Sequence, residues 1–142
     1  MYVCYCDGSI EGGNPGGWAV GGWVLKDAVS GEVIEKGNVD LGRGEDRTNN
    51  MAEYAAVLGV FRYLVGRGET QKAIEIRSDS QLVIKQLRGE YKCANKVLLG
   101  FRDEILGLAE EFPEALYEWV PRAENSEADE QSRYLYRANS ED

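Results

Sequence analysis

A chain of 142 residues is long enough for one domain with a single substantial core, and 43% apolar against 29% charged residues is the make-up of an ordinary globular protein. Its formal charge of −9, from 16 basic and 25 acidic residues, argues against a generic nucleic-acid binder, and the lack of any histidine excludes imidazole chemistry, from Ser-His-Asp triads to histidine-ligated zinc. No apolar run reaches the roughly 18–20 residues of a membrane span, and the opening MYVCYCDG lacks a signal peptide's basic start and apolar core, so a cytoplasmic chain without membrane contact is expected.

Residues 2 to 6 are apolar throughout, as in a strand buried on both faces, and Asp7 closes it. DGSIEGGNPGG then predicts a glycine-rich turn around Pro15. WAVGGWVLK and EVIEKGNVDLG predict two strands joined by the turn at Ser30 and Gly31. A polar stretch from 42 to 48 leads into a helix over about residues 50 to 66, stopped near Gly66 and Gly68. KAIEIRS predicts a fourth strand, DSQLVIKQLRG a short helix ended by Gly89, and residues 95 to 112 a longer helix stopped by Pro113. ALYEWV predicts a fifth strand, and a last helix begins near Asn125. The expected domain covers 1–137, with 138–142 as a frayed tail. Three sequential strands followed by α-β-α-α-β-α imply a mixed sheet with helices against it. Cys4, Cys6 and Cys93 are odd in number and lack zinc-ligand spacing, which predicts free thiols, Cys4 and Cys6 buried on one strand face, in a reducing compartment. Trp18, Trp23 and Trp119 are expected in the core.

Four acids are peculiarly placed. Asp7 ends an apolar strand, and Asp79 directly follows AIEIRS. Asp129 shares a helix face with Asn125, Ser132 and Tyr136. Glu53 heads the face carrying Val57, Val60, Phe61 and Leu64, with no lysine or arginine three or four residues away. Each has an ordinary alternative: Asp7 supporting the glycine turn, Asp79 beside a Ser78/Gln81 capping box, Asp129 as a solvated helix acid. Glu53 resists one, because an unpaired buried carboxylate costs several kcal/mol or must protonate. If the four converge, divalent cations are their natural neutralising partner, and an oxygen-only donor set favours magnesium or manganese over zinc.

Together CYCDGSIEGGNPGG, TNNMAEYAAVLGVF, IRSDSQLVIKQLRGEYK and WVPRAENSEAD, in this order and spacing, resemble the type 1 ribonucleases H from residue 1 to about 137. The resemblance implies a ribonuclease H-like α/β fold: a five-stranded mixed sheet, three antiparallel strands then two parallel, flanked by helices. It implies an endoribonuclease that cuts the RNA strand of RNA/DNA hybrids with two Mg²⁺ or Mn²⁺, leaving 5′-phosphate and 3′-hydroxyl ends. The family's four carboxylates fall on Asp7, Glu53, Asp79 and Asp129. Asp7 would bridge both ions, Asp129 would hold the ion that activates water, and Glu53 with Asp79 the ion that stabilises the leaving oxygen.

By the same resemblance Gly12, Gly13, Asn14 and Asn49, with Glu53, face the 2′-hydroxyl side of the hybrid, and Thr48 a phosphate of the DNA strand. The ordinary alternative for Gly12 and Gly13 is a plain turn, and Asn95 is either a backbone contact or a helix N-cap. Two departures stand out. Many bacterial members carry a histidine before the final helix; here PRAENSE offers only Arg122 for a proton or product-release role, and an arginine cannot be a general base. The basic protrusion of some members is reduced to Lys85, Arg88, Lys92 and Lys96 against Glu90, a local +3 that leaves −12 on the rest of the −9 chain. Weak hybrid binding by a monomer without a protein partner is expected. The alternative is a non-catalytic or DNA-directed protein on the same fold, such as a resolvase or strand transferase, or a purely structural module. Those enzymes usually lack the TNNMAEY turn, and the other two leave the complete set of acids unexplained.

Overall fold

Two neighbouring glycines on one strand show how the layers are arranged. In the computed structural model, which describes residues 1–140, β2 (Trp18–Asp27) carries Gly21 and Gly22 side by side. A Cβ on Gly21 would strike the backbone of Ala56, and one on Gly22 the backbone of Ser132. Successive residues of a strand face opposite sides. Helix α1 (Asn49–Gly66) and helix α4 (Ser126–Ser140) therefore cover opposite faces of the sheet, each close enough to need a glycine beneath it.

The sheet runs β3-β2-β1-β4-β5. β1 (Tyr2–Glu11) pairs antiparallel with β2, which pairs antiparallel with β3 (Val33–Arg43). On its other side β1 pairs parallel with β4 (Ile74–Ser78), and β4 with β5 (Ala115–Trp119). The mixed sheet is thus as expected. Helices α2 (Gln81–Leu87) and α3 (Lys96–Ala109), with α1, enclose the main core. Cys4, Cys6, Val57, Val60, Phe61, Leu64, Ile74 and Ile76 are fully buried there. Both strand thiols are free, and burial pushes that of Cys6 well up.

Several expectations need correction. β1 does not stop at residue 6: its ladder with β2 continues to Glu11 opposite Trp18, so Asp7 lies inside the strand and not at its end. Gly8 and Ser9 look like turn residues, but Gly8 is a close-approach glycine, opposite Gly21 and under α1. The cap of α2 is Ser80, whose hydroxyl accepts from Val83 N; Ser78 instead accepts from Ser80 N. α3 ends at Ala109, with Glu111 and Phe112 N–H closing a turn ahead of Pro113. Trp23 is core, but Trp119 is 44% exposed, because it ends the outermost strand β5. Helix α4 runs on to Ser140, into the stretch read as a tail; residues 141–142 lie outside the described residues.

Candidate active site

Glu53 reaches the sheet because Gly8 lets it. A Cβ at Gly8 would sit 2.3 Å from Glu53 N and 2.5 Å from Ala52 C, so only glycine allows the head of α1 this close to β1. Asp7, one residue earlier, faces the α4 side with Ser9, whose hydroxyl donates to Ser132 O at 3.1 Å. Asp79 falls between β4 and the Ser80 cap, spared from capping. Its carbonyl accepts from Trp119 Nε1 at 3.1 Å, which gives that exposed ring a fixed place. Asp7, Glu53 and Asp79 each present an oxygen, and the three oxygens lie within 4.8 Å of one another.

Electrostatically this cluster is overloaded. Burial pushes the Asp7 carboxyl up to about 8, helped by the charges of Asp79 and Asp129. Burial, then the charges of Asp7 and Asp79, push Glu53 well above the usual carboxylate range. Both side chains are only 6% exposed. Glu53 Oε1 has Asn49 Nδ2 at 3.5 Å, while Oε2 is buried with no hydrogen-bond partner among the described residues. Such an orphan is expensive unless something else comes to it.

The fourth acid is set differently. Asp129 is half-buried, within hydrogen-bonding reach of Asp7 but outside the group of three, and Arg133 Nε donates to its Oδ1 at 3.1 Å. Asn125 is a residue whose importance the sequence understated. It precedes α4 at the end of a 3₁₀ turn, Arg122–Glu124, and is 1% exposed. Its Nδ2 donates to Asp79 Oδ1 at 3.1 Å and Cys6 O at 2.8 Å, while its backbone carbonyl accepts from Asp129 N. One residue, through its side-chain NH₂ and its backbone carbonyl, thus ties together the segments that carry Asp7, Asp79 and Asp129. The only sequence signal was an asparagine one turn ahead of an inward aspartate.

In the loop after β1, Gly12 and Gly13 take φ of 93° and 132°, so the turn itself requires glycine there. Asn14 Oδ1 accepts from Asn49 N at 3.1 Å and Gly16 N donates to Arg47 O, strapping this loop to the head of α1. Thr48 is the N-cap of α1, its hydroxyl accepting from Met51 N and keeping its own proton to donate. Arg122 is exposed and lines the same cavity as Asp7, Glu53, Asp79 and Asn49. The basic run lies apart from that lining: Lys85 sits over the Tyr91 ring, Arg88 pairs with Glu118, and Lys92 and Lys96 are exposed. Asn95 accepts from Val97 N and Leu98 N, which makes it the N-cap of α3.

A family model described as reverse transcriptase-like matches residues 6–134. The structure of RNase H1 from the archaeon Halobacterium salinarum is 33% identical, with a TM-score of 0.83 over 96% of this chain and 98% of that one. The chain belongs to the type 1 ribonuclease H family. The N-terminal RNase H domain of Rv2228c from Mycobacterium tuberculosis is 31% identical, with a TM-score of 0.84 over 99% of this chain and 96% of that one. LC11-RNase H1, solved in complex with an RNA/DNA hybrid, is 30% identical, with a TM-score of 0.82 over 92% and 93%. The chain spans only 33% of the length of the whole mycobacterial protein, called bifunctional, and 59% of Halobacterium ribonuclease HI, to which it is 40% identical over 125 residues.

Ribonucleases H use divalent metal ions, and the donor set here fits them. Three carboxylates converge with one buried oxygen unpartnered, which is an arrangement that a hard, oxygen-seeking cation relieves.

Proposed function

We propose that this chain is an endoribonuclease that hydrolyses the RNA strand of RNA/DNA hybrids, using two Mg²⁺ or Mn²⁺ and leaving 5′-phosphate and 3′-hydroxyl ends. The observation that carries the reading is the three-carboxylate cluster set directly beside Asn49. Asp7, Glu53 and Asp79 would hold one ion and Asp7 with Asp129 the other, since Asp7 is the acid within reach of all the rest. Bound ions of this kind activate water and stabilise a departing oxygen. Everything else falls to the chain's own groups.

Asn49 Nδ2 and the Glu53 carboxylate offer a donor and an acceptor side by side, which suits a ribose 2′-hydroxyl, a group that is both. Gly12, Gly13 and Asn14 bring backbone without bulk to the shallow groove of the hybrid. Thr48 donates its hydroxyl proton to a phosphate of the DNA strand. Arg122 remains charged throughout, so it binds a phosphate oxygen at product release and takes no proton. Lys85, Arg88, Lys92 and Lys96 supply further backbone contacts, with Asn95 contributing its amide donors. A relative solved with an RNA/DNA hybrid supports the substrate class.

The test is cleavage of labelled RNA/DNA, RNA/RNA and DNA/DNA duplexes with Mg²⁺, Mn²⁺ or excess EDTA. RNA should be cut only when paired with DNA and only with metal. Equal cutting of DNA/DNA would reassign the chain to the DNA-directed enzymes of this fold. Hybrid binding without cleavage would make it a non-catalytic binder.

A further inference from the structure

The four acids do not share one electrostatic situation. Asp7, Glu53 and Asp79 converge within 4.8 Å, and none of the described ion pairs involves them. Asp129 touches Asp7 but stands outside that group, and it has a cation of its own. Arg133, one helical turn later on α4, places Nε 3.1 Å from Asp129 Oδ1 while lining the same cavity as the other three carboxylates. A guanidinium therefore already stands at the carboxylate that would complete the second ion position.

We propose that Arg133 is the resident counter-cation of Asp129, holding that carboxylate until a divalent ion displaces it, so that the two ion positions fill in order. The Asp7/Glu53/Asp79 position, with three crowded charges and an orphaned oxygen, fills first. The Asp7/Asp129 position fills second, at the cost of the Arg133 pair. This inference builds on the divalent-ion reading above and adds to it an order of binding and a residue that sets it. Displacement is feasible because the pair is half-exposed, with side-chain exposures of 45% and 36%, and pairs of that kind are weak. The competing account is a surface pair that merely steadies α4 at helical spacing. That account predicts a change in thermal melting and none in metal binding.

The experiment is a titration of Mn²⁺ into the metal-free full chain, read by calorimetry and by the electron paramagnetic resonance of free Mn²⁺. Wild type should show a tighter and a weaker class of ion. Arg133→Gln should tighten the weaker class about two- to fivefold, the scale of a half-exposed ion pair, and leave the tighter class unchanged. Arg133→Lys should restore the wild-type separation, and Asp129→Asn should lose the weaker class. Arg62→Gln, which removes a positive charge paired with Glu104 on the far side of α1, should change neither. An unchanged weaker class in Arg133→Gln, or equal tightening of both classes, would overturn the inference while leaving the metal site standing. No Mn²⁺ binding by wild type at all would overturn the metal site itself, and the inference with it.

Discussion

Helix α2 separates two opposite ways of handling charge. Before its start, Asp7, Glu53 and Asp79 press like charges together, two of them buried, where burial and repulsion raise both Asp7 and Glu53. At and beyond its end, Lys85, Arg88, Lys92 and Lys96 sit in or near solvent, one over a tyrosine ring and one against Glu118. The first arrangement costs folding energy, and the close backbone approach at Gly8 is what holds Glu53 in it. The second costs little and imposes little. On the proposed function, chemistry would be concentrated where the fold is under electrostatic strain, and grip spread where it is not. Substitutions at the two places should differ in kind.

The sharpest contrast is expected from Asp7→Asn. Turnover should fall on the order of 10²–10³-fold, the loss typical of removing one fixed transition-state stabiliser. Melting temperature in EDTA at neutral pH should rise nevertheless, because an amide spares the cost of keeping an ionisable group protonated, or charged beside Asp79, in that buried place. Steady-state kinetics beside a calorimetric scan will show both. Activity within a few-fold of wild type, or a lower melting temperature in EDTA, would mean that the cluster is not under the load described.

Two glycines test the backbone side of the comparison. Gly8→Ala forces a Cβ against Glu53 N and Ala52 C and should cost about 1–3 kcal/mol or more, with activity lost as α1 is pushed off the strand. Gly89→Ala, beyond α2, meets open space but must hold φ near 79°, so about 1 kcal/mol is expected, with activity intact. Denaturant unfolding separates the two, and equal costs would show that close approach is not what fixes Glu53.

A further effect is expected from pH. In metal-free protein the folded-state Asp7 carboxyl sits at about 8, above its unfolded value. Between those values the folded state binds more protons than the unfolded one, so stability falls as pH rises and is lost through about pH 8. Melting temperature in EDTA should therefore drop by roughly 10 °C from pH 5 to 8, the equivalent of about 3–4 kcal/mol for a shift of this size. The slope should shrink in Asp7→Asn and vanish with Mn²⁺. A melting temperature that climbs over this range in EDTA would reverse the assignment.

The sequence made the carboxylates legible because buried acids violate composition rules: Glu53 lay on an apolar helix face with no cation at helical spacing, and the structure buries it without an ion pair and with one oxygen unpartnered. The succession of strands and helices along the chain was equally legible from periodicity and the glycine-bounded turns, while the arrangement of the strands in the sheet came from the family resemblance. What stayed hidden depends on distant neighbours. Gly8 and Ser9 have turn chemistry, and only the approach of α1 and α4 makes them strand residues. Trp119 is apolar enough for a core, but β5 is an edge strand that leaves it outside. Asn125 and Arg133 gain their meaning only from the carboxylates they touch across the fold.

The smallest expected effect belongs to the basic run, and it closes the comparison from the other side. The chain is −9, so a polyanion is repelled at long range, and two bound divalent ions would remove only four of those charges. Short-range contact must come from local cations. Of the four in residues 85–96, Lys85 is partly engaged with Tyr91 and Arg88 with Glu118, which leaves Lys92 and Lys96 the freest to meet phosphate. Each phosphate contact made by a cation adds roughly 0.7–0.9 to the slope of log K against log salt, so wild type should show a slope shallower than about −4. The double variant Lys92→Gln/Lys96→Gln should flatten that slope by about 1.5 and raise KM for hybrid, with kcat nearly unchanged because neither lysine lines the carboxylate cavity. Stability should hardly move. If the double variant binds hybrid normally, or wild type shows a much steeper slope, the grip on substrate lies on another surface, and the division of labour across α2 fails.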